Sequence, residues 1–180
     1  MLFRSRPSVI FGAGDQFLNL FAKLQAVFPV LPLAAATARF QPVWVEDVAQ
    51  ALVQLLANGN ALGHDPDAPH VFEACGPDAF TLRELVQLAG RFSGHARPVI
   101  ALPMALGRLQ ALLMELAPGK TLMSRDNLDA MQVDNVATTG IPGLRALGID
   151  ASALNAIAAQ YLAPRETDVL LSRRRVAGRF

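Results

Sequence analysis

Residues 9–14 constrain this chain more than any other stretch. Val9-Ile10-Phe11 is followed directly by Gly12-Ala13-Gly14. A short run of β-branched and aromatic residues, entered through Arg6-Pro7 and ended by glycines, reads as a buried strand. An amphipathic stretch follows, so the order is strand, glycine loop, helix. In open α/β sheets, ligands sit at loops of this kind, at the carboxyl ends of strands. The strand lies almost at Met1, where the deep interior of a sheet is not expected.

The rest of the chain continues the alternation. Gln16 to Phe28 carries Phe17, Leu18, Leu20, Phe21, Leu24 and Phe28 at helical spacing. Pro29 and Pro32 end that helix and impose an extended segment over Val30 to Leu33. Arg39 to Val45 reads as a second strand, with Pro42 suggesting an edge or a strand start. Glu46-Asp47 opens a helix to about Ala57, acids in the first turn suiting the positive end of its dipole, with Val48, Leu52, Leu55 and Leu56 as its apolar stripe.

Leu62 to Ala68 is a polar loop, and His70 to Cys75 is a strand ended by Gly76-Pro77. Thr81-Leu82-Arg83-Glu84 is a capping box for a helix through about Phe92. Arg97 to Leu102 is a further strand. Pro103 starts a helix to about Leu116, with Met104, Leu106, Leu109, Leu112, Leu113 and Leu116 inside. Ser124 is placed to cap a short helix through Met131, and Asp150 or Ser152 another through Leu162. The reading is one unit over residues 1–163 and a basic, flexible tail over 164–180.

Bulk properties narrow the function classes. The chain has 180 residues, enough for one domain with a real core, and is 52% hydrophobic and 17% charged. Mean hydropathy is +0.32, so much of the surface must be buried, internally or against a partner. Net charge is +1, which gives no whole-chain basis for nucleic-acid binding. Five arginines after Pro164 make the tail net positive; a solvated tail is the default for the Arg173-Arg174-Arg175 run, against a surface for acidic lipid or RNA. A single cysteine, Cys75, excludes a disulfide framework. The first residues do not read as a signal peptide, and Leu24 to Ala38 is too broken to span a bilayer. The expected location is cytoplasmic, with peripheral membrane contact left open.

Three segments occur in order that together carry a family likeness: Arg6 to Asp15, Arg39 to Ala49, and Phe72 to Pro77 with Thr81 and Glu84-Leu85. The chain resembles the carboxyl-terminal half of an atypical short-chain dehydrogenase/reductase of the NAD-dependent epimerase/dehydratase type. The likeness is to the branch related to the dehydrogenase-like accessory subunit of respiratory complex I, and covers roughly Arg4 to Tyr161. It implies an α/β fold: the second half of a Rossmann-like sheet with a small, helical, substrate-side subdomain. It implies NAD or NADP as cofactor, with Arg6, Pro7, Ser8 and Phe11 near it, and Gly12, Arg39 and Gln41 on the substrate side. Asp47 would stand at a helix start behind the pocket.

Two features of that family are missing from the sequence. No Gly-x-Gly-x-x-Gly or Gly-x-x-Gly-x-x-Gly occurs; Phe17 stands where a third glycine would be wanted. No Tyr-x-x-x-Lys occurs either: Tyr161 is the only tyrosine, and Arg165 lies four residues on. A phenol activated by a nearby ammonium is therefore not offered, and no catalytic residue is assigned. The expectation is a fragment that pairs with a companion chain or an upstream half carrying the dinucleotide strands. The alternative is a non-catalytic structural or assembly subunit with respiratory-complex or membrane-peripheral contacts.

Other residues carry bland readings beside sharp ones. Arg6 either meets a phosphate or carboxylate or pairs with a surface acid, and Arg39 is balanced between pocket rim and surface. Asp47 reads as a helix-start residue rather than a catalytic one. Cys75 reads as a small buried residue beside a Gly-Pro turn. His64, Asp65, Asp67 and His70 have metal-ligand chemistry, but Pro66 and Pro69 make the segment a solvated loop, and no metal is expected.

Overall fold

The computed structural model describes residues 3–57, 70–116 and 124–163. The chain begins with β1 (Phe3–Pro7) and β2 (Ile10–Phe11), followed by helix α1 (Leu18–Val27) and β3 (Leu31–Leu33). Then come β4 (Arg39–Phe40), β5 (Val43–Trp44) and α2 (Val45–Ala57). After the first undescribed segment come β6 (His70–Ala74), β7 (Phe80–Thr81), α3 (Leu82–Phe92), β8 (Val99–Ala101) and α4 (Met104–Leu116). The last described elements are α5 (Arg125–Ala130), a 3-10 turn at Leu144–Leu147 and α6 (Leu154–Leu162).

The strands form ladders of two. β1 runs parallel to β6, β2 to β5 and β3 to β8, whereas β4 is antiparallel to β7. The parallel pairs and the helices between them make the fold α/β, as the alternation of elements predicts. The main core gathers Phe11, Leu18, Phe21, Leu33, Phe40, Leu82, Leu85, Val86 and Leu154, closing α1, α3 and α6 on the strands. A second cluster holds Val43, Val48, Ala51, Leu55, Phe72 and Leu144 between α2, β6 and the 3-10 turn.

The opening strand is longer and more broken than the apolar run alone suggests. Arg4 to Pro7 are already extended against β6, and the ladder changes partner at Ser8-Val9. Ser8 makes the join: its N–H donates to the Ala74 carbonyl at 3.0 Å, and its Oγ to the Asn135 carbonyl at 2.8 Å. The strand expected over Arg39 to Val45 is likewise two, because Pro42 has no N–H to donate and the chain turns there.

The capping box forms as read. Thr81 Oγ1 accepts from the Glu84 N–H at 3.3 Å, and Glu84 Oε2 accepts from the Thr81 N–H at 2.7 Å. The Thr81 N–H first, then the Thr81 hydroxyl donating to Glu84 Oε2 at 2.8 Å, hold the Glu84 carboxyl below its usual range. Ser124 caps α5 through the Asn127 N–H at 3.1 Å. Neither Asp150 nor Ser152 caps α6. Ala153 holds that position with no side-chain bond, because Ser152 is committed to Asp47 across the fold.

Two helical stripes need correction. In α2 the buried face is Val48, Ala51 and Leu55, and Leu52 and Leu56 point outward. In α4 Leu106 and Leu109 are also exposed, and the inward face is made of small residues, Gly107 and Ala111. Close approach decides that register: a Cβ on Gly107 would lie 2.5 Å from Ala34 Cβ. Among the described residues no helix is long and apolar enough to cross a membrane. The tail over 164–180 and His64, Asp65 and Asp67 lie outside the described residues.

Candidate functional site

A cleft of about 440 Å³ opens at the carboxyl end of β6. Its floor is the Glu73-to-Gly76 segment, and its far wall is the stretch that approaches and follows the 3-10 turn, including Arg145 and Asp150. That wall is pinned to the strand: the Glu73 N–H donates to the Pro142 carbonyl at 3.0 Å. The Glu73 carboxylate is buried and accepts from Thr138, from its N–H at 2.6 Å and its Oγ1 at 3.0 Å. A buried carboxylate must be hydrogen-bonded to be tolerated, and Thr138 supplies this with neutral donors.

Gln41 forms the near wall. Its Nε2 donates to the Gly76 carbonyl at 2.6 Å, and its Oε1 accepts from the Ala137 N–H at 2.8 Å. Its own N–H is shared between the Asn135 carbonyl at 3.0 Å and Ser8 Oγ at 3.2 Å. One side chain therefore fixes three segments around the cleft. Gly76 sits so close under Pro42 that no side chain fits there.

Cys75 lines the same cleft. Burial pushes its thiol up, the Glu73 charge adds to this, and the Ser8 backbone only partly opposes it. The thiol stays protonated at neutral pH and is a poor nucleophile. Behind the wall, buried Asp47 accepts from Ser152, from its N–H at 2.7 Å and its Oγ at 3.2 Å. It stands at the start of α2 and ties that helix to the entry of α6.

The second place of interest is the glycine loop that ends β2. Asp15 closes it. Its Oδ1 accepts from the N–H groups of Phe17, Leu18 and Asn19 at 2.9, 2.7 and 3.3 Å. Its Oδ2 accepts from the Tyr161 hydroxyl at 2.7 Å and lies 3.4 Å from the Gly12 N–H. A helix N-terminus is an anion site because its first N–H groups have no partner. Here a carboxylate from the chain already fills it, and the residues present do not fit a pyrophosphate. Burial, then the Asp15 bond and charge, pushes the Tyr161 phenol far above its ordinary value. It is a structural donor to Asp15.

The residues singled out by sequence scatter around these two places. Arg6 and Pro7 lie exposed on β1, Arg6 in register with Glu73. Ser8 is buried, and both its N–H and its hydroxyl are used internally. Phe11 is 1% exposed and packs in the main core. Gly12 is buried, where a Cβ would come 2.7 Å from Val45 Cγ1. Gln41 lines the cleft. Exposed Arg39 is not among its lining residues and lies by the start of α3, where its charge helps hold the Glu84 carboxyl down. Glu73 and Arg145 are not among the residues that sequence singles out, and Asp150 is among them only as a helix cap, although an acid inside an apolar strand is a visible signal at Glu73. Among the described residues, no group of three His, Cys, Asp or Glu is placed to hold a metal ion.

No family model matches the chain. It is 29% identical over 151 residues to mouse NADH dehydrogenase [ubiquinone] 1 alpha subcomplex subunit 9, mitochondrial, covering 83% of this chain and 38% of that protein. The Neurospora crassa NADH-ubiquinone oxidoreductase 40 kDa subunit is 27% identical over 157 residues, covering 87% and 40%. Among solved structures, MoeE5 with UDP-glucose and NAD matches with a TM-score of 0.57 at 13% identity, covering 97% of this chain and 48% of that one. UDP-glucose 4-epimerase from Thermotoga maritima, solved with UDP-glucose, gives 0.55 at 13%, covering 95% and 46%. The chain thus spans about two fifths of the curated relatives it matches, and under half of these solved chains. In sequence it is similar to these NADH dehydrogenase subunits, and in fold to MoeE5 and the UDP-glucose 4-epimerase.

Proposed function

We propose that this chain is the substrate-side half of a short-chain dehydrogenase-like, NAD(P)-binding protein. The dinucleotide loop would come from strands that continue the sheet beyond β1, in the same polypeptide or a companion. The observation that carries this is the state of β1. Strands in parallel sheets are normally buried on both faces. Yet Arg4, Ser5, Arg6 and Pro7 are all exposed, and among the described residues β1 pairs only with β6. A strand so placed is an open sheet edge, ready for a further strand.

On this reading Arg6 and Pro7 face the nicotinamide end of NAD or NADP. Ser8 and Phe11 act from behind, one joining the ladders and the other filling the core beneath them. Gly12 lets the loop pass Val45, Gln41 holds the substrate-side cleft open, and Arg39 stands at its outer approach. Residues 1–163 would form this half and 164–180 a basic tail. Hydride chemistry is not assigned to any residue of the chain.

The test is titration with NADH and NADPH, followed by quenching of Trp44, whose ring packs on the main core beside β2. The chain alone should show no saturable quenching at micromolar nucleotide, and supplying the strands that complete the sheet should produce it. Saturable micromolar binding by the chain alone would refute the division of labour.

A second reading has its own support: the relatives matched in sequence are named as complex I subunits. Under it the fold is retained as an accessory, non-catalytic subunit. Tyr161, committed to Asp15, favours it. Co-purification with respiratory-complex subunits, unchanged when the cleft is altered by Arg145→Ala, would select this reading.

A further inference from the structure

A second hollow, of about 270 Å³, lies on another part of the surface, between α1, the last turns of α3 and the segment 96–98. Gln25, Gln87, Arg91, Ala96, Arg97 and Pro98 line it. None of these is acidic. Two arginines therefore line one hollow with no acidic residue beside them among the described residues. The single ion pair among the described residues, Arg108 with Asp129, involves neither of them.

The hollow is built rather than accidental. Gln25 is fully buried, and its Nε2 donates to the Val86 carbonyl at 2.7 Å and to the Phe21 carbonyl at 3.3 Å. It also holds Arg97 at two points. Gln25 Oε1 accepts from the Arg97 N–H at 3.3 Å, and its backbone carbonyl accepts from Arg97 Nε at 3.2 Å. With the backbone and Nε fixed, the outer Nη groups of Arg97 are pre-aimed, and little rotamer entropy is left to lose on binding. Gln87 and Arg91 stand one helical turn apart on α3, so both reach the hollow from the same face.

We propose that this hollow binds a phosphoryl group, held by the guanidinium forks of Arg91 and Arg97 with the Gln87 amide as a further donor. Paired planar forks suit phosphate oxygens, which accept in bidentate fashion. The volume falls just below the range of drug-sized ligand pockets, about 300–1,000 Å³. It fits a phosphate headgroup and not a whole dinucleotide, so the site is separate from the nucleotide reading above. The competing account is that Arg91 merely offsets the negative end of the α3 dipole while Arg97 is solvated.

The experiment is titration of the chain with inorganic phosphate at constant ionic strength, read by thermal shift and by NMR shifts of the Arg97 and Gln25 amides. Saturable shifts at those amides are expected, weakened at least tenfold in Arg91→Gln, whose side chain makes no bond within the described fold. Arg97→Gln should do the same, and its unfolding curve checks that the fold survives. A second arm uses phosphatidylcholine vesicles with and without phosphatidic acid, because exposed Val27 and Phe28 follow Gln25 closely. Vesicle binding lost in Arg91→Gln would mark a lipid headgroup as the source, whereas phosphate binding without vesicle binding would mark a soluble phosphate compound. A phosphate response equal to that of chloride, or one unchanged in Arg91→Gln, would overturn the proposal.

Discussion

Replacing Asp15 by Ala tests whether the glycine loop is closed by the protein itself. The carboxylate serves two elements: the N–H groups of Phe17, Leu18 and Asn19 where α1 begins, and the hydroxyl of Tyr161 on α6. Loss of a helix cap costs about 1 kcal/mol. Leaving a half-buried hydroxyl without its acceptor costs about 1–3 kcal/mol, taken at the lower end here because Tyr161 is not fully buried. The two together come to roughly 2–3 kcal/mol, which for a chain of this size lowers Tm by about 4–12 °C. Tyr161→Phe removes only the second contact and should cost about 0.5–1.5 kcal/mol. Urea unfolding of both single variants and the double variant gives the coupling between them, expected near 1 kcal/mol. If Asp15→Ala stays within 0.5 kcal/mol of the parent, or if the two changes add with no coupling, the clasp does not stabilise the fold and the loop is free to take an anion.

Further outcomes follow from the same contacts. Because the fold favours the neutral Tyr161 phenol, stability should be intact below pH 10.0 and fall as pH rises above it; Tyr161→Phe should remove that alkaline loss in a pH series of urea midpoints. Glu84 has the opposite sign: its contribution is present above pH 4.5 and lost as pH falls through the lowered folded value, so Glu84→Gln should flatten acid-induced loss of amide protection at the start of α3. Gly90→Ala should destabilise despite gaining about 1 kcal/mol of helix propensity. The new Cβ would lie 2.7 Å from Gln25 Cδ, and disturbing that buried amide should give a net loss of about 2 kcal/mol in thermal unfolding. The Cys75 thiol should react with a disulfide reagent at pH 7 more slowly than a free thiol; a faster rate would contradict its raised pKa.

What was legible in the sequence is what is decided locally. Thr81 and Glu84 announce a helix start because both partners of the capping box lie within one turn. The strand ending at Gly12 and the one ending at Gly76 are legible from short β-rich runs stopped by glycine. Pro42 was visible too, but its effect, two short strands instead of one, depends on which neighbour each half pairs with. The helical stripes failed where the packing partner is small: Gly107 and Ala111 face inward because α4 approaches Ala34 closely, and this leaves Leu106 and Leu109 outside.

The polar framework of the candidate site was the least legible. Asp15 meets Tyr161 across 146 positions, Asp47 meets Ser152 across 105 and Glu73 meets Thr138 across 65. No spacing rule reaches so far. Ser152 shows the effect plainly: its position before a helix suggests a cap, and a distant carboxylate takes the hydroxyl instead. Long-range hydrogen bonds override local preference when they also satisfy a buried charge.

The three parallel ladders also bear on how the chain reaches its fold. Residue 3 meets residue 70, residue 10 meets 43 and residue 31 meets 99, so no parallel pair can form by closing a short hairpin. Each needs a long loop to be closed before any contact rewards it, which makes for high contact order and slow assembly. The helices can form early, but β1 waits for β6 and stays an unpaired, sticky segment until then. During synthesis β1 therefore lacks its β6 partner until residues 70–74 have followed. A yield of folded chain that falls as the temperature of synthesis rises is the expected sign of that delay.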